Sequence, residues 1–265
     1  MEKYRIGFIG AGNMAFALIK ALQKAKLAKS IIASDVNQER LDFVKEKANI
    51  TVTKNNLDVV EKSDILFLAV KPQVIDSVLD EIKNEVKTHL IISIAAGITL
   101  KKLELKLKNK KIVRVMPNTP CLVGEMAAGF SVGKHVTGND LKIVEELLNT
   151  AGKAFYLKES MMDAVTGLSG SGPAFVARLI EAFAKAGEAQ GLNEDIATEL
   201  AIHTFMGTAK LLHESGMTPE ELVNLVSSPN GTTVAGREVL EKSDYKEIIK
   251  KTIARATERS KELGK

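Results

Sequence analysis

Phe8-Ile9-Gly10-Ala11-Gly12-Asn13-Met14-Ala15 decides the reading of this 265-residue chain. The stretch ends a short apolar run, Arg5–Ile9, and opens an amphipathic one, Met14–Lys26, so it reads as a strand-to-helix turn of the form G-x-G-x-x-A. Gly10 permits the tight turn, Gly12 lets a pyrophosphate approach the backbone, and small Ala15 lets helix and strand pack closely. The helix N-terminus then presents free N–H groups to the phosphates. Ile9, Gly10, Ala11, Gly12, Asn13 and Met14 are the candidate contacts for a dinucleotide.

Working outward, the second apolar run, Ser30–Ser34, ends in Ser34-Asp35, where such folds read the adenosine ribose. A carboxylate at Asp35 accepts hydrogen bonds from a free 2′-hydroxyl and repels a 2′-phosphate. The cofactor expectation is therefore NADPH or NADH, tipped towards NADH; against it stand Ser34, which could donate to a phosphate, Arg40 one turn of helix away, and the plain alternative that Asp35 only caps the helix beginning near Asn37. The fourth run ends in Leu68-Ala69-Val70-Lys71-Pro72 and the fifth in Ala95-Ala96-Gly97. Both ends fall on the carboxyl edge of the sheet, so Ala69, Val70, Lys71, Pro72, Ala95, Ala96 and Gly97 should border the nicotinamide half, with a plain solvated role for Lys71 as the alternative. Asn56 opens the helix after the third strand and either caps it or reaches the ribose.

Up to about residue 157, apolar runs alternate with amphipathic stretches, the pattern of a parallel sheet between layers of helices. The remaining predicted strands are Ile50–Thr53, Ile65–Ala69, Leu90–Ile94, Ile112–Met116, Ala127–Ser131 and Ala154–Leu157; the predicted helices between them include Gln38–Lys47, Ile75–Val86 and Asp140–Thr150. After Met161 strands disappear, and Pro173–Gln190, Glu194–Ser215, Pro219–Val226, Thr233–Lys242 and Tyr245–Leu263 read as helices. Thr218 before Pro219-Glu220-Glu221 is a helix cap. The expected fold is α/β plus all-α: an N-terminal Rossmann dinucleotide-binding domain over 1–160 and a helical domain over 161–265. Pro173–Gln190 is apolar on nearly every side, more than a thin helical layer can cover, which points to a subunit interface.

The 37 basic and 33 acidic residues are mixed along the chain, so no arm tracks a nucleic-acid backbone. No run approaches a membrane span, and the N-terminus passes straight into a strand rather than a signal peptide. The single Cys121 excludes an internal disulfide and suits a cytoplasmic protein. His89, His135, His203 and His213 are scattered without ligand spacing, so no metal is expected.

Two more segments are rich in Gly, Ser and Pro: Asp163 to Phe175, which contains Leu168-Ser169-Gly170-Ser171-Gly172-Pro173-Ala174, and Val226 to Gly236, which contains Ser227-Ser228-Pro229-Asn230-Gly231-Thr232-Thr233. Loops leading into helices offer free N–H groups and hydroxyls to a small carboxylate, although capping and turn formation alone explain such loops equally well. With the glycine turn, Leu68–Pro72 and Met116-Pro117-Asn118-Thr119-Pro120, they give the chain a resemblance to pyrroline-5-carboxylate reductases over nearly its whole length. The resemblance implies NAD(P)H as cofactor, 1-pyrroline-5-carboxylate as substrate, proline as product, and a helical domain that dimerises or builds larger assemblies of dimers. It also implies that Ser228, Gly231, Thr232 and Thr233 grip the carboxylate and ring while Asn118, Asp163, Val165 and Ser171 line the same cavity, with Thr233 and Ser228 the catalytic candidates. Where that family usually reads Ser-Pro-Gly-Gly-Thr-Thr, Asn230 takes the first Gly position, and Asn tolerates the left-handed backbone such a position needs.

The chemistry implied is modest: a protonated C=N bond accepts a hydride once cofactor and imine are held in contact. The alternative is a 3-hydroxyacid dehydrogenase of the hydroxyisobutyrate type, which needs a helical Lys as acid or base. Here Gly170–Phe175 lacks Gly-x-x-x-Lys, and Lys185 lies further on, where a solvated helix lysine is the simpler reading.

Overall fold

The computed structural model describes residues 3–264. Eight strands form one sheet: β1 (Tyr4–Ile9), β2 (Ala28–Ser34), β3 (Thr51–Thr53), β4 (Ile65–Leu68), β5 (Leu90–Ser93), β6 (Lys111–Met116), β7 (Met126–Val132) and β8 (Gly152–Tyr156), in the order β3-β2-β1-β4-β5-β6-β7-β8. The first six are parallel in the 3-2-1-4-5-6 order of dinucleotide-binding folds. The sheet is not parallel throughout, as the alternation suggested, because β7 runs antiparallel to β6. The link between them, residues 117–125, holds only a 3-10 turn, Thr119–Val123, and is too short for the crossover a parallel pair needs.

Both faces of the central strands are covered, which is why they read as continuous apolar runs rather than alternating ones. On β4, Ile65 and Phe67 join a core with α1 (Asn13–Lys24), α2 (Gln38–Ala48) and α6 (Gly138–Leu148). Leu66 and Leu68 join a second core with α3 (Asn56–Glu61), α4 (Ile75–Ile82) and α5 (Leu100–Lys106). Phe8 and Phe67 stack across β1 and β4 with ring centroids 4.6 Å apart. At the start of α6, Thr137 and Asp140 form a reciprocal capping box, and Lys111 pairs with Asp140 at 2.9 Å.

The chain divides into two compact units. One takes the described residues up to Ser171 together with those from Ala254 onward; the other is Gly172–Ile253. The expected boundary near residue 160 thus falls inside the first unit, because α7 (Met162–Val165) and the π-helical turn Thr166–Gly170 that follows it pack on β7. The second unit holds α8 (Gly172–Ala189), α9 (Glu194–Ser215), α10 (Pro219–Val226), α11 (Thr232–Lys242) and the first part of α12 (Tyr245–Leu263). Phe183 and Phe205 meet edge to face between α8 and α9. Thr218 caps α10 as expected, exchanging bonds with Glu221. Val176, Leu179 and Phe183 on α8 and Ile196, Leu200 and Met206 on α9 are exposed in the single chain. No helix among the described residues is long and apolar enough to cross a membrane.

Candidate active site

Register places the nucleotide edge. Ile9 is level with Ser34 on one side and Leu68 on the other, and Leu68 with Ser93, so the turns that follow β1, β2, β4 and β5 leave the sheet together. Gly10 has φ +96°, and a Cβ there would sit 2.6 Å from the Ala69 carbonyl oxygen, so two backbones touch where the chain turns. Gly12 is the N-cap of α1 with no side-chain cap, and a Cβ on it would meet nothing within 4 Å. An open space in front of uncapped N–H groups is the geometry a pyrophosphate fills.

Ser34 is buried, and its hydroxyl donates to Asn56 Oδ1 at 2.7 Å; Asn56 Nδ2 donates to Glu81 at 2.7 Å. Asn56 does not cap α3: Asn55 does, accepting from the Leu57 N–H, because the N-cap lies one residue before the first helical position. Asp35 Oδ2 accepts from the Ala11 N–H at 2.8 Å and Oδ1 from the Asn37 N–H at 3.0 Å, which fixes the carboxylate against the glycine turn. Arg40 reaches the same turn, donating from Nε to the Ala11 carbonyl at 2.5 Å. Its guanidinium lies over Phe43, 4.7 Å from the ring centroid, and its buried Nη2 has no partner. An orphaned cationic donor beside the turn fits a ligand bearing phosphate. Lys71 is exposed and precedes the 3-10 turn Pro72–Val74; Ala95 and Gly97 are buried, and Ala96 faces outward.

The expected cavity residues of the first unit lie around β7. Asn118 is buried, its Oδ1 accepting from the Ala127 N–H at 2.9 Å and its Nδ2 donating to the Ser169 carbonyl at 3.2 Å. The methyls of Val165 fill the space where Gly129 would carry a Cβ, at 2.8 and 3.0 Å. Asp163 accepts from Ser260 Oγ at 2.7 Å and lies 3.9 Å from Arg114, a buried guanidinium that pairs with Glu159 at 3.2 Å. The stretch from Asp163 is not a loop: α7, the π turn and α8 follow one another, with the Ser171 N–H bonded to the Thr166 carbonyl at 2.9 Å. Room for that wide turn comes from Gly170, where a Cβ would lie 2.4 Å from the Met116 side chain.

In the second unit, Ser228-Pro229-Asn230-Gly231 closes a tight turn by a bond from the Gly231 N–H to the Ser228 carbonyl at 3.0 Å. Asn230 has φ 60°, so it adopts the left-handed conformation expected of it, at the third residue of the turn and directly after Pro229. A Cβ on Gly231 would lie 2.4 Å from Ser228 Oγ and 3.0 Å from the Ser228 carbonyl oxygen, so a larger residue would displace the Ser228 hydroxyl. Gly231 is the N-cap of α11 without a side-chain cap, and the first bond of the helix is from Ala235 to the Gly231 carbonyl. The N–H groups of Thr232 and Thr233 are thus free of helical partners, and both side chains are exposed. Arg237 Nη1 reaches Ser227 Oγ at 3.5 Å, and its Nε lies 3.2 Å from Glu241 without the alignment of a hydrogen bond.

Comparison with known proteins gives these features a lineage. Residues 159–263 match the family described as "Pyrroline-5-carboxylate reductase dimerisation", and residues 5–97 the one described as "NADP oxidoreductase coenzyme F420-dependent". A pyrroline-5-carboxylate reductase of Methanosarcina acetivorans is 46% identical, covering 100% of both chains. The chain belongs to the pyrroline-5-carboxylate reductase family. The Pisum sativum member is 38% identical over 99% of this chain and 97% of its own. The Coxiella burnetii reductase superposes with a TM-score of 0.95 at 33% identity, covering 99% of each chain. The Plasmodium falciparum reductase, solved with NADP bound, gives 0.89 at 33% identity over 100% of both. Membership in this family decides against the hydroxyacid dehydrogenase reading, and Lys185 sits in exposed ion pairs with Glu188 and Glu194.

Arg114, Glu159, Ser260 and Arg237 carried no motif in the sequence. Each is an ordinary residue of an amphipathic or basic stretch until the fold supplies its partner. Cys121 is buried, and burial pushes its thiol up to about 11, far from a reactive thiolate. Among the described residues no group of His, Cys, Asp and Glu comes together that could hold a metal.

Proposed function

We propose that this protein reduces 1-pyrroline-5-carboxylate to L-proline with NAD(P)H. The observation that carries the reading is the Ser228–Gly231 turn feeding an uncapped helix, with the free N–H groups and hydroxyls of Thr232 and Thr233 beside it. Such an end holds a carboxylate through its N–H groups and dipole. The reduced nicotinamide supplies the hydride. The protein's own residues bind and orient: Gly10, Gly12 and Asn13 receive the pyrophosphate, while Ala69–Pro72 and Ala95–Gly97 border the ring. Ser228 and Gly231 shape the substrate turn, and the Thr233 hydroxyl donates to the carboxylate or the ring nitrogen. Val165 and Ser171 border the substrate; both polar atoms of the Asn118 side chain are engaged by Ala127 and Ser169, so it holds the surrounding backbone, while Asp163 has one oxygen tied to Ser260.

For the cofactor we propose that NADH serves at least as well as NADPH. The support is Asp35, whose carboxylate is held at the glycine turn where a 2′-phosphate would meet it; Arg40 is the opposing charge. We further propose an isologous dimer built on the helical region, which buries the apolar faces of α8 and α9. The test is NADH and NADPH oxidation by the purified protein with pyrroline-5-carboxylate, set beside 3-hydroxyisobutyrate oxidation. Turnover is expected with the imine only, and none with it under either cofactor overturns the proposal.

A further inference from the structure

We propose that the end of α12 with the residue after it, Ser260–Gly264, is a positioning element for the nicotinamide ring, latched through Ser260 to Asp163. The proposal rests on the cofactor reading above. Ser260 is 3% exposed in a turn whose neighbours Arg259 and Lys261 face solvent, and its Oγ donates to Asp163 Oδ1 at 2.7 Å. Behind Asp163 stands the buried Arg114, which also pairs with Glu159; Glu159 Oε1 accepts from the Leu100 N–H at 2.5 Å. One polar path thus joins the end of the chain to the start of α5, just past the turn that leaves β5.

The same turn of α12 lies against that stretch directly. Gly97 has φ +76°, and a Cβ on it would be 3.5 Å from the Leu263 Cβ and 3.6 Å from its backbone; a Cβ on Gly264 would be 3.1 Å from the Gly97 carbonyl oxygen. Gly264 lets the two backbones approach, and the left-handed backbone of Gly97 suits glycine. Ala95 is held by two long bonds, from its N–H to Ser93 Oγ and from the Ile98 N–H to its carbonyl, each at 3.4 Å, and Ala96 and Gly97 have no polar side chain, so what packs over the stretch helps to fix its position. They leave the sheet on the edge that carries Gly10, at the nicotinamide end of the site. The adenosine end is held by other groups, Ser34, Asp35 and the glycine turn. Releasing the latch therefore loosens one end of the cofactor site and leaves the other.

The experiment compares two ligands on the full-length Ser260→Ala protein: NADH, followed by its fluorescence, and ADP-ribose, which has the adenosine and both phosphates but no nicotinamide, followed by calorimetry. Loss of one buried hydrogen bond should weaken NADH binding about five- to tenfold and lower kcat, with ADP-ribose unchanged within about twofold. A chain ending at Arg259 should show the same pattern, more strongly. Unchanged NADH affinity in both variants, or equal weakening of both ligands, overturns the proposal and leaves a purely structural tie. If the wild-type protein binds neither ligand, the cofactor reading fails first and takes this one with it.

Discussion

At the scale of single residues, the site is governed by which polar atoms are already engaged. Thr233 has its helix capped by Gly231 instead of by itself, so its hydroxyl is available to substrate. Thr233→Val should lower kcat/KM about tenfold or more, the worth of one hydrogen bond to a charged group at roughly 1.5 to 3 kcal/mol. Steady-state kinetics equal to wild type would leave Thr233 without a catalytic role. Asp35 accepts two backbone N–H groups and still has lone pairs for a ribose hydroxyl. Asp35→Ser should shift the ratio of kcat/KM for NADH over NADPH towards NADPH, and an unchanged ratio would show that Asp35 does not read the ribose.

At the scale of elements, turns and caps set the geometry. The left-handed Asn230 joins α10 to α11, and alanine in that conformation costs about 1 kcal/mol or more. Asn230→Ala should raise KM for the imine while KM for NADH stays put; movement of both would tie the turn to the cofactor instead. The capping box of α6 gives a pH dependence. Burial of Asp140 works to raise its carboxyl pKa, but bonds from Thr137 and the Lys111 ammonium outweigh it and hold the group below the usual carboxylate range. A folded pKa below the unfolded one stabilises the protein above the ordinary Asp value and is lost as pH falls through the folded value. The Tm difference between wild type and Asp140→Asn should therefore be largest near neutrality and close as pH drops below about 4. A gap constant with pH would mean that the charge of Asp140 contributes nothing.

At the scale of the molecule, the apolar faces of α8 and α9 are the outstanding feature. Exposed together on a monomer they would form a patch of the kind that marks an interface. Light scattering at assay concentration should give at least a dimer, and a fully active monomer would overturn that expectation. A charge on the α8 stripe, Leu179→Glu, should dissociate the assembly and reduce activity together, because an isologous face meets the substitution twice.

The sequence by itself determined what is local and periodic. All eight strands and the five helices α8 to α12 were legible, because burial on both faces gives continuous apolar runs and burial on one gives helical spacing. The glycine turn and the left-handed Asn230 were legible because backbone sterics restrict which residues fit there. Tertiary structure decided whatever depends on a partner far along the chain. The reversal of β7 follows from a link too short for a crossover, and the helical path from Asp163 through Ser171 from glycines that make room for a wide turn. Spacing puts Arg40 one helical turn from Asp35, but its bond to the Ala11 carbonyl, and Ser260 latched to Asp163 across 97 positions, have no signature in composition or spacing, since a hydrogen bond needs only two groups brought within about 3 Å, and the fold alone brings them there.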